Sequence, residues 1–176
     1  MVATTHVDLR LRAIEKGIHT KIIHAASIGT AAAGLLGLQN YKFGRTTTLP
    51  FWRAGYDPTS PYDAIESNIK AGMHTLTLLD IDAEGGRAMS ATQGLEQLIA
   101  LEAKMKRGIL KSDALACVVA RAGHDDVFVR AGELATLVKE DFGHPPHCIV
   151  IPGKLHFMEA EALVKLAGAP EKILNC

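Results

Sequence analysis

Ser60-Pro61-Tyr62-Asp63-Ala64-Ile65, running on to Ile69, and then His74-Thr75-Leu76-Thr77-Leu78-Leu79-Asp80-Ile81 decide the fold. The first stretch is a helix. Ser60 stands as N-cap, Pro61 takes the first helical position, and Ala64, Ile65 and Ile69 recur at helical spacing. The second is a continuous apolar run of strand length ending in Asp80, the signature of a strand covered on both faces. The same alternation continues toward the C-terminus. Ser90-Ala91-Thr92-Gln93 forms a capping box before a helix carrying Leu95, Leu98, Ile99 and Leu101. Ala114 to Ala122 is a second buried strand, with Asp126 to Ala131 as its partner. Gly132 to Lys139 is a short helix, Cys148 to Pro152 the last strand, and Leu155 to Leu166 the last helix.

Toward the N-terminus, Phe43 to Pro50 reads as an extended connector or edge strand and is the best domain boundary. Ser27-Ile28-Gly29 opens a small-residue helix from Thr30 to Leu38, and Lys21 to Ala25 reads as a short strand. Thr5 to Lys16 is an amphipathic helix closed by Gly17 as left-handed cap. Strands alternating with helices give an α/β domain with a mixed sheet. Met1 to His6 reads as the second half of a strand-to-helix turn, so the expectation is a protein cut short at its N-terminus.

With 176 residues, 48% hydrophobic and 22% charged, the chain is long enough for a core and too apolar for wholesale disorder. Nineteen basic residues balance nineteen acidic ones, so no net field directs it to nucleic acid or an anionic membrane. The longest apolar runs are strand-sized and too short to span a bilayer, and no signal segment is read before them. Cys117, Cys148 and Cys176 lack paired spacing, which points to neither a disulfide framework nor a zinc site and suggests a reduced, cytoplasmic setting.

Four predicted strand ends carry small or polar residues where the chain turns: Ala25-Ala26-Ser27-Ile28, Leu78-Leu79-Asp80, Ala120-Arg121-Ala122-Gly123 and Ile151-Pro152-Gly153-Lys154. Ligands of open α/β sheets sit at such ends, where backbone groups are free. No glycine-rich phosphate loop, dinucleotide fingerprint or serine elbow is present. His144 and His147 flank two prolines in an extended turn and do not make a metal pair, and no metal is expected. His147 reads as a polar group facing a cavity or its own backbone, His156 as a packing residue at a helix start. Glu159 and Glu161 lie on different faces of the last helix and are not an acid/base pair.

These motifs, taken in order, closely resemble the diphthine synthase family, a group of S-adenosyl-L-methionine-dependent methyltransferases within the tetrapyrrole-methylase-like class. The resemblance rests on Val2-Ala3-Thr4-Thr5-His6, Ile23-His24-Ala25-Ala26-Ser27-Ile28, Gly37 to Gly44, and Gly72-Met73-His74-Thr75-Leu76. It continues through Ala120-Arg121-Ala122-Gly123, Pro146-His147, Pro152-Gly153-Lys154-Leu155-His156 and Met158-Glu159-Ala160-Glu161. It implies that residues 1–43 are the tail of an N-terminal cofactor-binding lobe and 44–176 the C-terminal methyltransferase domain. The family's Gly-x-Gly-Leu loop and Gly-Asp-Pro have no counterpart here. Residue by residue, the resemblance assigns donor contacts to Val2, Ser27, Ile28, Leu79, Ala122 and His147. It further implies a homodimer and a protein substrate, the modified histidine of elongation factor 2, with Arg45, Arg53, Arg121 and Lys154 as candidate docking residues. The alternative is a non-catalytic, dimerising fragment whose cofactor site is incomplete.

Overall fold

The computed structural model describes residues 4–175. Its main sheet has five strands in the order β1 (Thr47–Leu49), β2 (Thr75–Leu79), β7 (His147–Ile151), β5 (Leu115–Ala120) and β6 (Phe128–Glu133). Only β1 and β2 run parallel; the remaining pairs are antiparallel, so the sheet is mixed, as expected. β1 is an edge strand, which fits the reading of residues 43–50.

Alternate residues of each strand feed two apolar layers. On one face Leu79, Val118, Ile149 and Ile151 meet α3 (Ser60–Lys70), α4 (Ala91–Met105) and the single turn α5 (Leu134–Leu137). On the other, Leu76, Val119, Cys148 and Val150 meet α2 (Ile28–Leu36) and α6 (Phe157–Ala167). A strand covered on both sides needs no polar alternation, which is why residues 74–81 read as one apolar run.

Local signals explain most boundaries. Ser90 Oγ accepts from Gln93 N at 3.2 Å and Gln93 Oε1 from Ser90 N at 2.9 Å, completing the capping box of α4. Gly17 and Gly37 adopt left-handed φ of 71° and 70° after α1 (Thr4–Glu15) and α2.

Four expectations are corrected. Lys21 to Ala25 is not a strand: no described segment offers it a hydrogen-bonding edge, and Ile23 is 82% exposed. The cap of α3 falls on Thr59, with Ser60 already helical and no side-chain bond closing the turn. The run from His74 to Ile81 breaks at Asp80. Beyond it β3 (Ile81–Asp82) folds back on β4 (Arg87–Ala88) as a separate two-stranded ribbon. His156 is no packing residue; it is the N-cap of α6, its Nδ1 accepting from Met158 N.

α1 buries none of its residues. Val7, Leu9, Leu11 and Ile14 are all about half exposed or more, and Leu9 and Ala13 face the Thr20–Ile22 segment across an open groove.

Candidate functional site

Because β7 runs against β2 and β5, one transverse row at one end of the sheet collects Leu49, Leu79, His147, Ala120 and Phe128. Leu49 pairs with Leu79, His147 with Ala120 and Ala120 with Phe128, while Leu79 follows the Leu78–Cys148 pair. The carboxyl ends of β1, β2 and β5 therefore lie beside the N-terminus of α4. The same geometry sends Ile151-Pro152-Gly153-Lys154 to the opposite end, away from the other predicted strand ends. Ala25 to Ile28 ends no strand at all.

His147 is the polar member of the row and is 9% exposed. Its Nδ1 accepts the backbone N–H of Ala91, the first residue of α4, at 2.9 Å. That acceptor role leaves the proton on Nε2. Nε2 is buried and completes no hydrogen bond among the described residues. Burial lowers the pKa of His147 and the neighbouring Arg121 charge acts in the same sense, against the His144 and Phe142 carbonyls. The ring is thus a neutral imidazole with one unused donor, and the edge-on Phe142 ring lies 6.4 Å away.

Arg121, read as a candidate for docking, turns its side chain inward. It is buried, with φ of 52°, and donates from Nη1 to Phe142 O at 2.6 Å and His144 O at 3.0 Å, while Nε pairs with Asp126 at 2.6 Å. It fixes the loop that leads into His147. Ala122 follows it, half-buried against the apolar layer that also receives Ile28. Ser27 is exposed and caps α2 through Oγ, which accepts from Gly29 N at 3.3 Å.

The structure therefore sets Leu79, His147 and Ala122 at one sheet end, and puts Ile28 and Ala122 in one apolar layer. Val2 lies outside the described residues. A cavity of about 580 Å³ lies at the far end beside Pro152, Lys154 and Leu155, and none of the predicted donor contacts line it. Two grooves of about 430 and 510 Å³ flank the His147 end and share Phe51 and Arg87.

Sequence reasoning missed Glu159. It is fully buried on α6 and accepts four donors: Gln39 N at 2.8 Å, His156 N at 2.8 Å, His74 Nε2 at 2.9 Å and Lys42 Nζ at 2.5 Å. His74 Nδ1 in turn accepts from Gly153 N at 3.0 Å, and Lys42 also donates to Lys154 O. Burial alone would raise the Glu159 carboxyl; the His156 N–H, Lys42, the Gln39 N–H and His74 overcome it and hold the pKa at about 2. One signal was available: Glu159 precedes Leu163 by one helical turn and so shares the buried face.

No family model matches the chain. It is 52% identical to a diphthine synthase of Methanothermobacter thermautotrophicus over 99% of its own length and 66% of that protein. Against the Methanosarcina mazei diphthine synthase the identity is 50%, covering 99% of this chain and 67% of the relative. The chain belongs to the diphthine synthase family. A crystal structure of diphthine synthase superposes with a TM-score of 0.88 at 40% identity, covering 99% of this chain and 65% of that one. The chain thus spans about two thirds of the length of the curated relatives it matches. Four runs that carried the family resemblance (residues 37–44, 72–76, 152–156 and 158–161) meet around the single carboxylate of Glu159.

Proposed function

We propose that this chain forms one wall of an S-adenosyl-L-methionine-dependent methyltransferase that modifies the histidine of elongation factor 2 in diphthamide biosynthesis. Family membership supports the reading, and the unpartnered Nε2–H of His147 carries it. A buried donor without an acceptor costs stability on the order of 1–3 kcal/mol, which a ligand acceptor would recover. In the bound state the cofactor supplies an electrophilic methyl group.

The chain's own residues hold and orient. The imidazole of His147, fixed by Ala91, presents Nε2–H as donor to a polar edge of the nucleoside. Leu79, Ala122 and Ile28 offer apolar surface for its flat and aliphatic parts, and Ser27 offers a hydroxyl at the start of α2. Such fixed side chains favour alignment, which contributes on the order of 7–11 kcal/mol in well-oriented reactions. In this reading residues 1–43 are the tail of the N-terminal lobe and 44–176 the C-terminal domain. The active species is a cytoplasmic homodimer. No helix among the described residues is long and apolar enough to cross a membrane.

Calorimetric titration with S-adenosyl-L-methionine tests the proposal. Micromolar binding that weakens about tenfold in His147→Ala is the expected result. Absence of heat from a folded chain would leave the non-catalytic fragment as the better description.

A further inference from the structure

Arg121 and His147 lie against the same two backbone carbonyls, and only Arg121 bonds them. Arg121 Nη1 donates to Phe142 O at 2.6 Å and to His144 O at 3.0 Å. Those carbonyls also act on the His147 ring, where they favour its charged form. Even so, Nε2 of His147 completes no hydrogen bond among the described residues. Where a guanidinium and a neutral imidazole compete for one carbonyl, the charge-assisted bond is roughly twice as strong and wins.

Arg121 is held in this position from several sides. Its φ of 52° is left-handed, which turns the chain sharply at the end of β5. Its own N–H donates to Pro146 O at 2.8 Å, so backbone and side chain of one residue grip three carbonyls of the 142–146 segment. Nε pairs with Asp126, at 2.6 Å, on the loop before β6. A Cβ on Gly143 would come within 3.0 Å of Nη1, so the glycine there leaves room for the guanidinium.

The imidazole has no second way to use its proton. Nδ1 is committed to Ala91 N, and a flipped ring would strand that N–H at the start of α4. Two charged or chargeable groups face the ring, Arg121 from the end of β5 and His144 from the preceding loop, and both disfavour imidazolium. Asp126 is drawn to Arg121, and Asp80, at the end of β2, gives Oδ2 to Phe51 N.

We propose that Arg121 is a positioning residue that acts through His147: by occupying the Phe142 and His144 carbonyls, it keeps the His147 Nε2–H open to an acceptor on a ligand. The inference rests on the methyltransferase reading only for the identity of that acceptor as a nucleoside edge.

NMR of the His147 ring in the full chain reads the effect without any ligand. In Arg121→Gln the freed carbonyls are expected to capture Nε2–H and move its proton resonance downfield. Loss of the guanidinium charge should also make the ring about tenfold easier to protonate. Arg121→Lys keeps the charge, and Lys106 already holds a φ of 55° in this chain, so its backbone is accommodated. That variant should show a smaller downfield movement and leave the ring as hard to protonate as in the parent. In calorimetry with S-adenosyl-L-methionine, Arg121→Gln is expected to weaken binding about tenfold, and to add nothing in a His147→Ala background. Unchanged His147 resonances in Arg121→Gln would overturn the proposal, as would losses of affinity that add across the two positions. Should Arg121→Gln fail to fold, unchanged resonances in Arg121→Lys would overturn it equally. If the donor binds neither parent nor variant, the methyltransferase reading falls while the NMR comparison still decides this one.

Discussion

Lys42 Nζ lies 2.5 Å from Glu159 Oε2, joining the turn after α2 to the first turn of α6 across 117 residues of sequence. The carboxylate is wholly buried and the lysine side chain is 19% exposed. Breaking such a pair from one side leaves the other charge stranded, at a cost of about 3–5 kcal/mol. Glu159→Gln should lower stability to urea by that amount. In a Lys42→Met, Glu159→Leu double variant the charges vanish together, yet Gln39 N and His156 N still lose their acceptor. Recovery should therefore be only partial, and full recovery would show that the ion pair, not the backbone donors, dominates.

The same network predicts a two-stage response to acid. Burial holds the pKa of His74 below its ordinary 6.5, with Glu159 opposing and Lys42 assisting, and burial likewise lowers His147. The unfolded chain takes up these protons more readily, so the stability is present above pH 6.5 and declines as pH falls below it. Glu159, at about 2 against an ordinary 4.5, contributes fully above pH 4.5 and loses its share as pH falls toward 2. That second share is roughly 3 kcal/mol. Urea midpoints measured from pH 8 to pH 3 should show both declines, the second smaller in Glu159→Gln, where the lowered carboxyls of Glu102, Asp57, Glu66, Asp82 and Glu161 remain. A midpoint flat between pH 7 and pH 5 would contradict the assignment of neutral, buried histidines.

Two glycines respond differently to the same added methyl. A Cβ on Gly153 would sit 2.4 Å from Met73 O and 2.6 Å from its carbonyl carbon, backbone atoms that cannot rotate aside. Gly153→Ala should cost at least about 2 kcal/mol. On Gly94 the Cβ meets Leu79 Cδ2 at 2.7 Å and Ile149 Cδ1 at 2.9 Å, both ends of side chains that can turn. A gain in helix propensity of about 1 kcal/mol offsets that repacking. Thermal melts of the two variants should differ clearly, with Gly94→Ala within about 1 kcal/mol of the parent.

Exposed Leu9 and Leu11 on α1 contribute nothing to the core. A Leu9→Glu, Leu11→Gln variant should keep its unfolding free energy within about 0.5 kcal/mol while reducing self-association in sedimentation. A large loss of stability would mean that α1 has a partner surface within the same chain.

The α/β architecture was legible because its signals are local. Ser90 and Gln93 make a capping box from four consecutive residues, and the apolar runs at 75–79, 115–120 and 147–151 have strand length. Residues 21–25 misled for the opposite reason: Ile22 and Ile23 suit a strand, but strand formation depends on an edge that local sequence does not encode. Glu159 stayed hidden as a buried hub because its four donors come from residues 39, 42, 74 and 156, and only tertiary folding brings them together. Arg121 misled similarly. Its exposed look in sequence reflects charge, whereas three carbonyl and carboxylate partners hold it inside. The donor contact assigned to His147 rests on the family resemblance alone, and its tautomer is set by Ala91, 56 residues away in sequence.

The β3–β4 ribbon hangs from the sheet by Asp80 and Met89, and residues 83–86 at its tip face solvent. Extra residues spliced into that tip would overhang both grooves without re-threading a strand of the main sheet. Length variation there is a cheap route to altered selectivity, and a dye grafted at Glu84 would watch the groove mouth from outside.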